Sequence, residues 1–310
     1  MSKLAFLFPG QGSQFSGMGE SLAKAYPAAR QLFEEADRVL GFPLSQLCFS
    51  GSEEELKKTE NTQPALLAVS VAALRVLEEL GIQPDFVAGH SLGEYSALVA
   101  AGSVTFADAL VLVRKRGRYM QEAVPAGLGA MAALLKLPEE KLEGVLAEAA
   151  HGEVVAAANL NAPDQVVIAG NVKAVERAMD LAKAAGAKRA ILLPVSAPFH
   201  CPLMKPAQDR LRADLDATEF RELSVPLVNN WQATQITRGA DAREGLYQQV
   251  PNPVRWTQSV RLLAGLGVTR FIEVGAGQVL TGLCRNIDPS LVGARFGEPA
   301  DMDKVQKIAG

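Results

Sequence analysis

Ser91 stands in Gly89-His90-Ser91-Leu92-Gly93, a Gly-x-Ser-x-Gly pattern, and the chain has three histidines, His90, His151 and His200, that could take its proton. A serine hydroxyl is a weak nucleophile until a base removes that proton. The pattern is that of a nucleophile elbow, in which glycines two residues either side let a strand and a helix approach around a strained serine. The hydroxyl then projects at a helix N-terminus, where free N–H groups favour a developing oxyanion. An ordinary glycine-flanked strand-to-helix turn is the other reading. Among the histidines, His90 adjoins the serine and points away from a sharp turn, so packing or hydrogen bonding within the elbow is expected of it. His151 ends an Ala-rich helix, where a solvated or C-capping role is the default. His200 lies in the Pro-flanked loop Pro198-Phe199-His200-Cys201-Pro202 and is by elimination the best base, against the reading of a satisfied structural histidine.

Two other stretches invite a chemical reading. The loop Gly10-Gln11-Gly12-Ser13-Gln14 is not a nucleotide-binding loop: the third glycine of a dinucleotide fingerprint would fall at Phe15, and the Lys-Ser/Thr of a phosphate loop is absent. Its glycines suit close backbone approach, to an oxyanion or simply within a tight turn. Arg114, Lys115, Arg116 and Arg118 crowd one helix. One buried arginine could pair with a substrate carboxylate through both prongs, but periodicity does not say which of them turns inward.

These residues need elements to hold them. Phe86-Val87-Ala88 reads as a short buried strand into the elbow, and Glu94 to Ala101 as the helix out of it, stopped by Gly102. Leu4 to Phe8 is a buried strand, Pro64 to Leu80 a helix apolar nearly all round, and Thr105 with Asp108 caps a helix running to Glu122. After the linker-like Pro125–Gly129 the texture changes. Strands at Met131–Leu137, Val154–Ala158, Val166–Ala169 and Arg189–Leu193 enclose helices at Pro138–Ala150 and Val172–Ala185, the ferredoxin-like order βαββαβ. Beyond Pro194 a loop, a helix to Leu215, a strand at Val225–Val228, a helix from Pro253 to Leu266, a strand at Arg270–Val274 and a helix at Val279–Asn286 follow. The expected fold is α/β. Residues 1–125 and 195–310 form a large α/β-hydrolase-like domain with a mostly parallel sheet, and residues 126–194 an inserted ferredoxin-like subdomain.

Composition narrows the class. A chain of 310 residues with 48% hydrophobic and 21% charged residues is ordinary for a globular enzyme. A net charge of −3 argues against nucleic-acid binding. No apolar run is long enough for a membrane span, and the apolar start stops at Pro9, too early for a secretory signal. Cys48, Cys201 and Cys284 give neither a disulfide framework nor a metal pattern, so no metal is expected and a cytoplasmic location is.

Taken together, the motifs FPGQGSQ at 8–14, NTQPAL at 61–66, GHSLGEYSAL at 89–98, RGRYMQEAVP at 116–125, NAPDQVVIAG at 161–170, FHCPLMKPA at 199–207, NPVRWTQSV at 252–260 and EVGAGQVLTGL at 273–283 resemble the malonyl-CoA:acyl carrier protein transacylases of fatty-acid synthesis. The resemblance implies a ping-pong malonyl transfer through an ester on Ser91, from malonyl-CoA to the phosphopantetheine thiol of holo acyl carrier protein. It implies His200 as acid and base, backbone N–H groups of Gln11 and Leu92 as oxyanion hole, and Arg116 as carboxylate holder. Gln63 is implied as a lining residue and the backbone carbonyl of Gln249 as what orients the histidine. No cofactor, nucleic-acid or membrane partner is implied, and a monomer is expected. Phe199 stands where several relatives have serine, a pattern that goes with malonyl selection; Ala276 replaces a common proline. Lys188 and Arg189, with some of Arg114, Lys115 and Arg118, are candidates for meeting an acidic carrier. Two rivals remain: a serine hydrolase, which usually places its histidine near the C-terminus and an acidic residue before it, and a non-catalytic carrier-docking module, which needs neither Ser91, His200 nor Arg116.

Overall fold

The structure, a computed structural model, describes residues 2–195 and 197–310. Among the described residues, ten strands form two sheets: β1 (Lys3–Phe8), β2 (Phe86–Gly89), β3 (Gly129–Leu135), β4 (Val155–Ala162), β5 (Gln165–Asn171), β6 (Arg189–Leu192), β7 (Leu227–Val228), β8 (Gln235–Ile236), β9 (Val268–Val274) and β10 (Val292–Phe296). The larger sheet runs β10-β9-β1-β2-β7-β8, parallel except for β8 against β7. The smaller runs β4-β5-β3-β6 and is antiparallel throughout. The chain is thus a mixed α/β protein with a mostly parallel sheet and a separate antiparallel one.

β1 sits at the middle of the parallel sheet because nothing in Leu4–Phe8 needs water; all five side chains are buried. Its register with β2 ends at Phe8↔Gly89, so the loop after β1 and the elbow after β2 leave the sheet side by side. Adjacent carboxyl ends of parallel strands are where open α/β sheets hold their sites. Helices cover both faces, the longest being Thr59–Glu79, buried along most of its length. That helix begins five residues earlier than its apolar run suggests, with Pro64 inside it. Pro64 has no N–H to give to the carbonyl four residues back, and Arg114 Nη1 donates to that carbonyl, Glu60 O, at 3.1 Å instead.

Several elements lie outside the sequence expectations: β8, β10, the helix Gly239–Gln249 and the C-terminal helix Met302–Ala309. β10 carries Gly293 and Arg295 within its five residues, which breaks an apolar pattern. The glycine is there for space, since a Cβ on it would lie 2.0 Å from the Phe271 ring. The antiparallel sheet is tied by backbone to the segment before the helix Trp256–Gly265: Leu160 N–H donates to Val254 O at 2.9 Å, and Val254 N–H to Ala158 O at 2.9 Å. The three cysteines are buried free thiols. No helix among the described residues is long and apolar enough to cross a membrane.

Candidate active site

The elbow is a left-handed kink at a residue that dislikes one. Ser91 has φ 52°, and its neighbours explain how this is held. A Cβ on Gly89 would lie 1.9 Å from Gly93 C, and one on Gly93 would lie 2.0 Å from Phe8 O, so neither glycine has room for a side chain. Ser91 N–H donates to Asn230 Oδ1 at 2.6 Å, while Asn230 Nδ2 donates to Gly89 O at 2.6 Å. One asparagine from the end of β7 therefore grips the elbow on both sides of the serine. His90 turns away from the hydroxyl: its Nε2 meets Asn161 Oδ1 at 2.8 Å and its ring stands edge-on to Trp256.

Ser91 Oγ lies 2.7 Å from His200 Nε2, across 109 residues of chain. His200 Nδ1 lies 2.9 Å from Gln249 O. A carbonyl can only accept, so Nδ1 carries the proton and Nε2 presents a lone pair to the serine hydroxyl. Burial, then the Arg116 charge, pushes His200 down to about 3, against the opposing pull of the Gln249 carbonyl. The imidazole is consequently neutral at physiological pH and able to accept. His151, by contrast, sits exposed and left-handed (φ 44°) at the end of the helix Leu142–Ala150, as a C-cap.

Of the four cations on the helix Phe106–Glu122, Arg116 is the one that turns inward; it is 2% exposed. Its neighbour Gly117 permits this, since a Cβ there would stand 2.6 Å from Thr59 O and hold the helix off the one carrying Gln63. Arg116 donates to Gln63 Oε1 at 2.7 Å, Gln249 Oε1 at 2.9 Å and Ser91 Oγ at 3.2 Å. Arg114 reaches Asn61, Lys115 pairs with Asp214 at 2.5 Å, and Arg118 lies over the Tyr119 ring.

Residues that sequence reasoning missed complete the site. Gln249 contributes its side chain as well as its carbonyl: Nε2 donates to Glu94 Oε2 at 2.8 Å and to Ser91 O at 3.0 Å. Glu94 Oε2 also accepts from Asn230 N–H at 3.0 Å. The one signal for Glu94 was a carboxylate inside a helix otherwise without charge, and Asn161 opens the NAPDQVVIAG motif; Asn230 carried no signal. Burial pushes Glu94 up to about 7, opposed by these hydrogen bonds and by Arg116.

Gln11, Gln63, Ser91, Leu92, Arg116 and His200 all line one cleft of about 240 Å³. Met131 and Ala133 of β3 and Val167 of β5 close it from the antiparallel sheet. Leu92 stands at the N-terminus of the helix Gly93–Ala100, and Gln11 follows β1. Among the described residues no group of three or more His, Cys, Asp or Glu is placed to hold a metal. A serine with a neutral base beside it and a buried cation at 3.2 Å can form an ester with an acyl group whose far end is anionic.

Known proteins resemble this chain along nearly its whole length. Residues 5–286 match the family model described as acyl transferase domain. The malonyl CoA-acyl carrier protein transacylase of Bacillus subtilis (strain 168) is 52% identical over 304 residues, 98% of this chain and 96% of the relative. That of Escherichia coli (strain K12) is 51% identical over 303 residues, 97% and 98% of the two chains. Among solved structures, an acyl carrier protein S-malonyltransferase from Vibrio cholerae superposes with a TM-score of 0.96 at 50% identity, covering 98% of this chain and 100% of that one. A malonyl-transacylase in complex with its type II PKS acyl-carrier protein superposes with a TM-score of 0.96 at 48% identity over 99% of both chains.

Proposed function

Because this chain belongs to the acyl transferase domain family, we propose that it transfers the malonyl group from malonyl-CoA to the phosphopantetheine thiol of acyl carrier protein, supplying fatty-acid elongation. The observation that carries this reading is the meeting of Ser91, His200 and Arg116 in one cleft.

Ser91 Oγ attacks the thioester carbonyl as His200 Nε2 takes its proton. The C–S bond breaks, and the imidazolium returns that proton to the departing CoA thiolate. The malonyl ester is left on Ser91 with its carboxylate against Arg116. In the second half the carrier's thiol gives its proton to His200 and attacks the ester carbonyl. The C–Oγ bond breaks and Ser91 recovers its proton. The N–H groups of Gln11 and Leu92 take the oxyanion in both halves. Gln249 O replaces the carboxylate that orients the histidine in a triad. Gln63 holds Arg116.

We read the antiparallel sheet with its two helices, strand order β4-β5-β3-β6, as a ferredoxin-like insertion of residues 126–194 in a hydrolase-like domain of residues 1–125 and 195–310. A cytoplasmic monomer is the simplest form for this reaction. The exposed Lys188 and Arg189, at the start of the edge strand β6, are the candidate docking cations for an acidic carrier; binding that ignores ionic strength would exclude them.

Brief exposure of the protein to malonyl-CoA is expected to add one malonyl group, detected by intact-protein mass spectrometry, and Ser91→Ala to abolish it. An adduct that survives in Ser91→Ala assigns the nucleophile elsewhere. Hydrolysis of malonyl-CoA that outruns transfer to acyl carrier protein would favour a hydrolase.

A further inference from the structure

Two opposite charges are buried in this site without touching. Glu94 is 1% exposed and Arg116 is 2% exposed. Between them lies one amide: Gln249 Nε2 donates to Glu94 Oε2 at 2.8 Å, and Gln249 Oε1 accepts from Arg116 Nη2 at 2.9 Å. The amide can face only one way. Its NH₂ meets Glu94, the Ser91 carbonyl and Asn230 Oδ1, all acceptors, so its oxygen is left for the arginine. Among the described residues, every hydrogen bond of Arg116 therefore goes to a neutral atom. A carboxylate in direct contact would have neutralised the guanidinium and used up the donors a substrate needs. A buried cation with no anion nearby would be costly. Glu94 at one amide's remove meets both demands.

We propose that Glu94 is a displaced counter-ion of Arg116 that limits how tightly the anionic end of the acyl group is held. The inference rests on the malonyl-transfer reading. An arriving malonyl carboxylate is drawn by Arg116 and repelled by Glu94, whereas an acetyl group, having no charge, feels neither. Interactions held equally in substrate and transition state lower KM without speeding the chemistry. An acyl group that must leave for a second thiol gains nothing from being bound harder.

Glu94→Gln isolates the charge. The carbonyl of the substituted side chain can accept from both Asn230 N–H and Gln249 Nε2, as Oε2 does now, and its NH₂ falls where Oε1 has no partner among the described residues. At about pH 8, where Glu94 is ionised, removing one unit charge at this range is expected to lower the KM for malonyl-CoA by roughly fivefold or more. The KM for acetyl-CoA is expected to move much less, so the ratio of the two separates a charge effect from loosened packing. A malonyl-CoA KM that is unchanged or raised, or one that moves together with the acetyl-CoA value, overturns the proposal. Should Glu94→Gln not fold, Gln249→Glu brings a negative charge directly onto Arg116 and is expected to raise the malonyl-CoA KM; a fall there overturns it equally. Absence of any malonyl adduct on the unsubstituted protein would instead sink the transfer reading itself.

Discussion

In the proposed transfer Arg116 has no role in breaking a bond, yet it is the residue expected to decide which acyl group is worth binding. Malonyl ends in an anion that an apolar cleft rejects, and acetyl has nothing to pair. Removing one partner of a buried charge pair costs roughly 2–5 kcal/mol, a factor of about 30 to several thousand. Arg116→Ala is therefore expected to lose malonyl loading by at least the lower factor while keeping acetyl loading. Unchanged malonyl kinetics would remove Arg116 from the role. His200 makes a second prediction. Its native pKa, about 3, lies below its ordinary 6.5, so between those values the unfolded chain binds the extra proton and stability rises with pH. Glu94, lifted from 4.5 to about 7, works the other way, since the native state keeps a proton the unfolded chain has lost. His200→Gln removes only the first slope. Urea titrations should show this variant gaining on the unsubstituted protein as pH falls from about 6.5 to about 4.5. A difference that does not depend on pH would contradict the buried neutral imidazole.

At the scale of elements, the elbow works because β1, β2 and the helix Gly93–Ala100 meet with no side chain between them. Gly93→Ala would place a methyl 2.0 Å from Phe8 O, a backbone atom that cannot swing away. It is expected to cost about 3 kcal/mol or more in urea unfolding. Gly282→Ala, within the helix Val279–Ile287, meets nothing within 4 Å and should be neutral or gain up to about 1 kcal/mol. Equal effects at the two positions would refute close approach as the reason for Gly93. These elements also show how legible the chain was. The strand–turn–helix of the elbow is marked by apolar residues and glycines adjacent in sequence, and so could be read. The inward turn of Arg116 could not, because four cations share that helix and the deciding contact, Gly117 against Thr59, joins distant segments. The side-chain role of Gln249 was hidden for the same reason. It lies at the end of a largely polar helix whose one buried face gives a weak pattern.

Across the whole molecule, Ser91 follows a strand of the parallel sheet, Arg116 comes from a helix and His200 from the loop after β6, and the antiparallel sheet supplies a wall. β3 and β5 were visible because each is a nearly continuous apolar run, whereas β8 is two residues long and β10 is interrupted by glycine and arginine. The cleft was not visible at all, since its lining joins residues of distant segments, from Gln11 to Leu283. One further property follows from burial. The reaction brings foreign sulfhydryls, first one leaving and then one attacking, next to a histidine whose neighbour in sequence is Cys201. That thiol is wholly buried, gives its hydrogen to Pro198 O at 3.1 Å, and is pushed by burial up to about 11. Burial raises Cys48 and Cys284 as well. Disulfide exchange proceeds through the thiolate, and at neutral pH these side chains hold almost none. A catalyst that hands acyl groups from one sulfur carrier to another is thereby expected to resist disulfide exchange with either carrier.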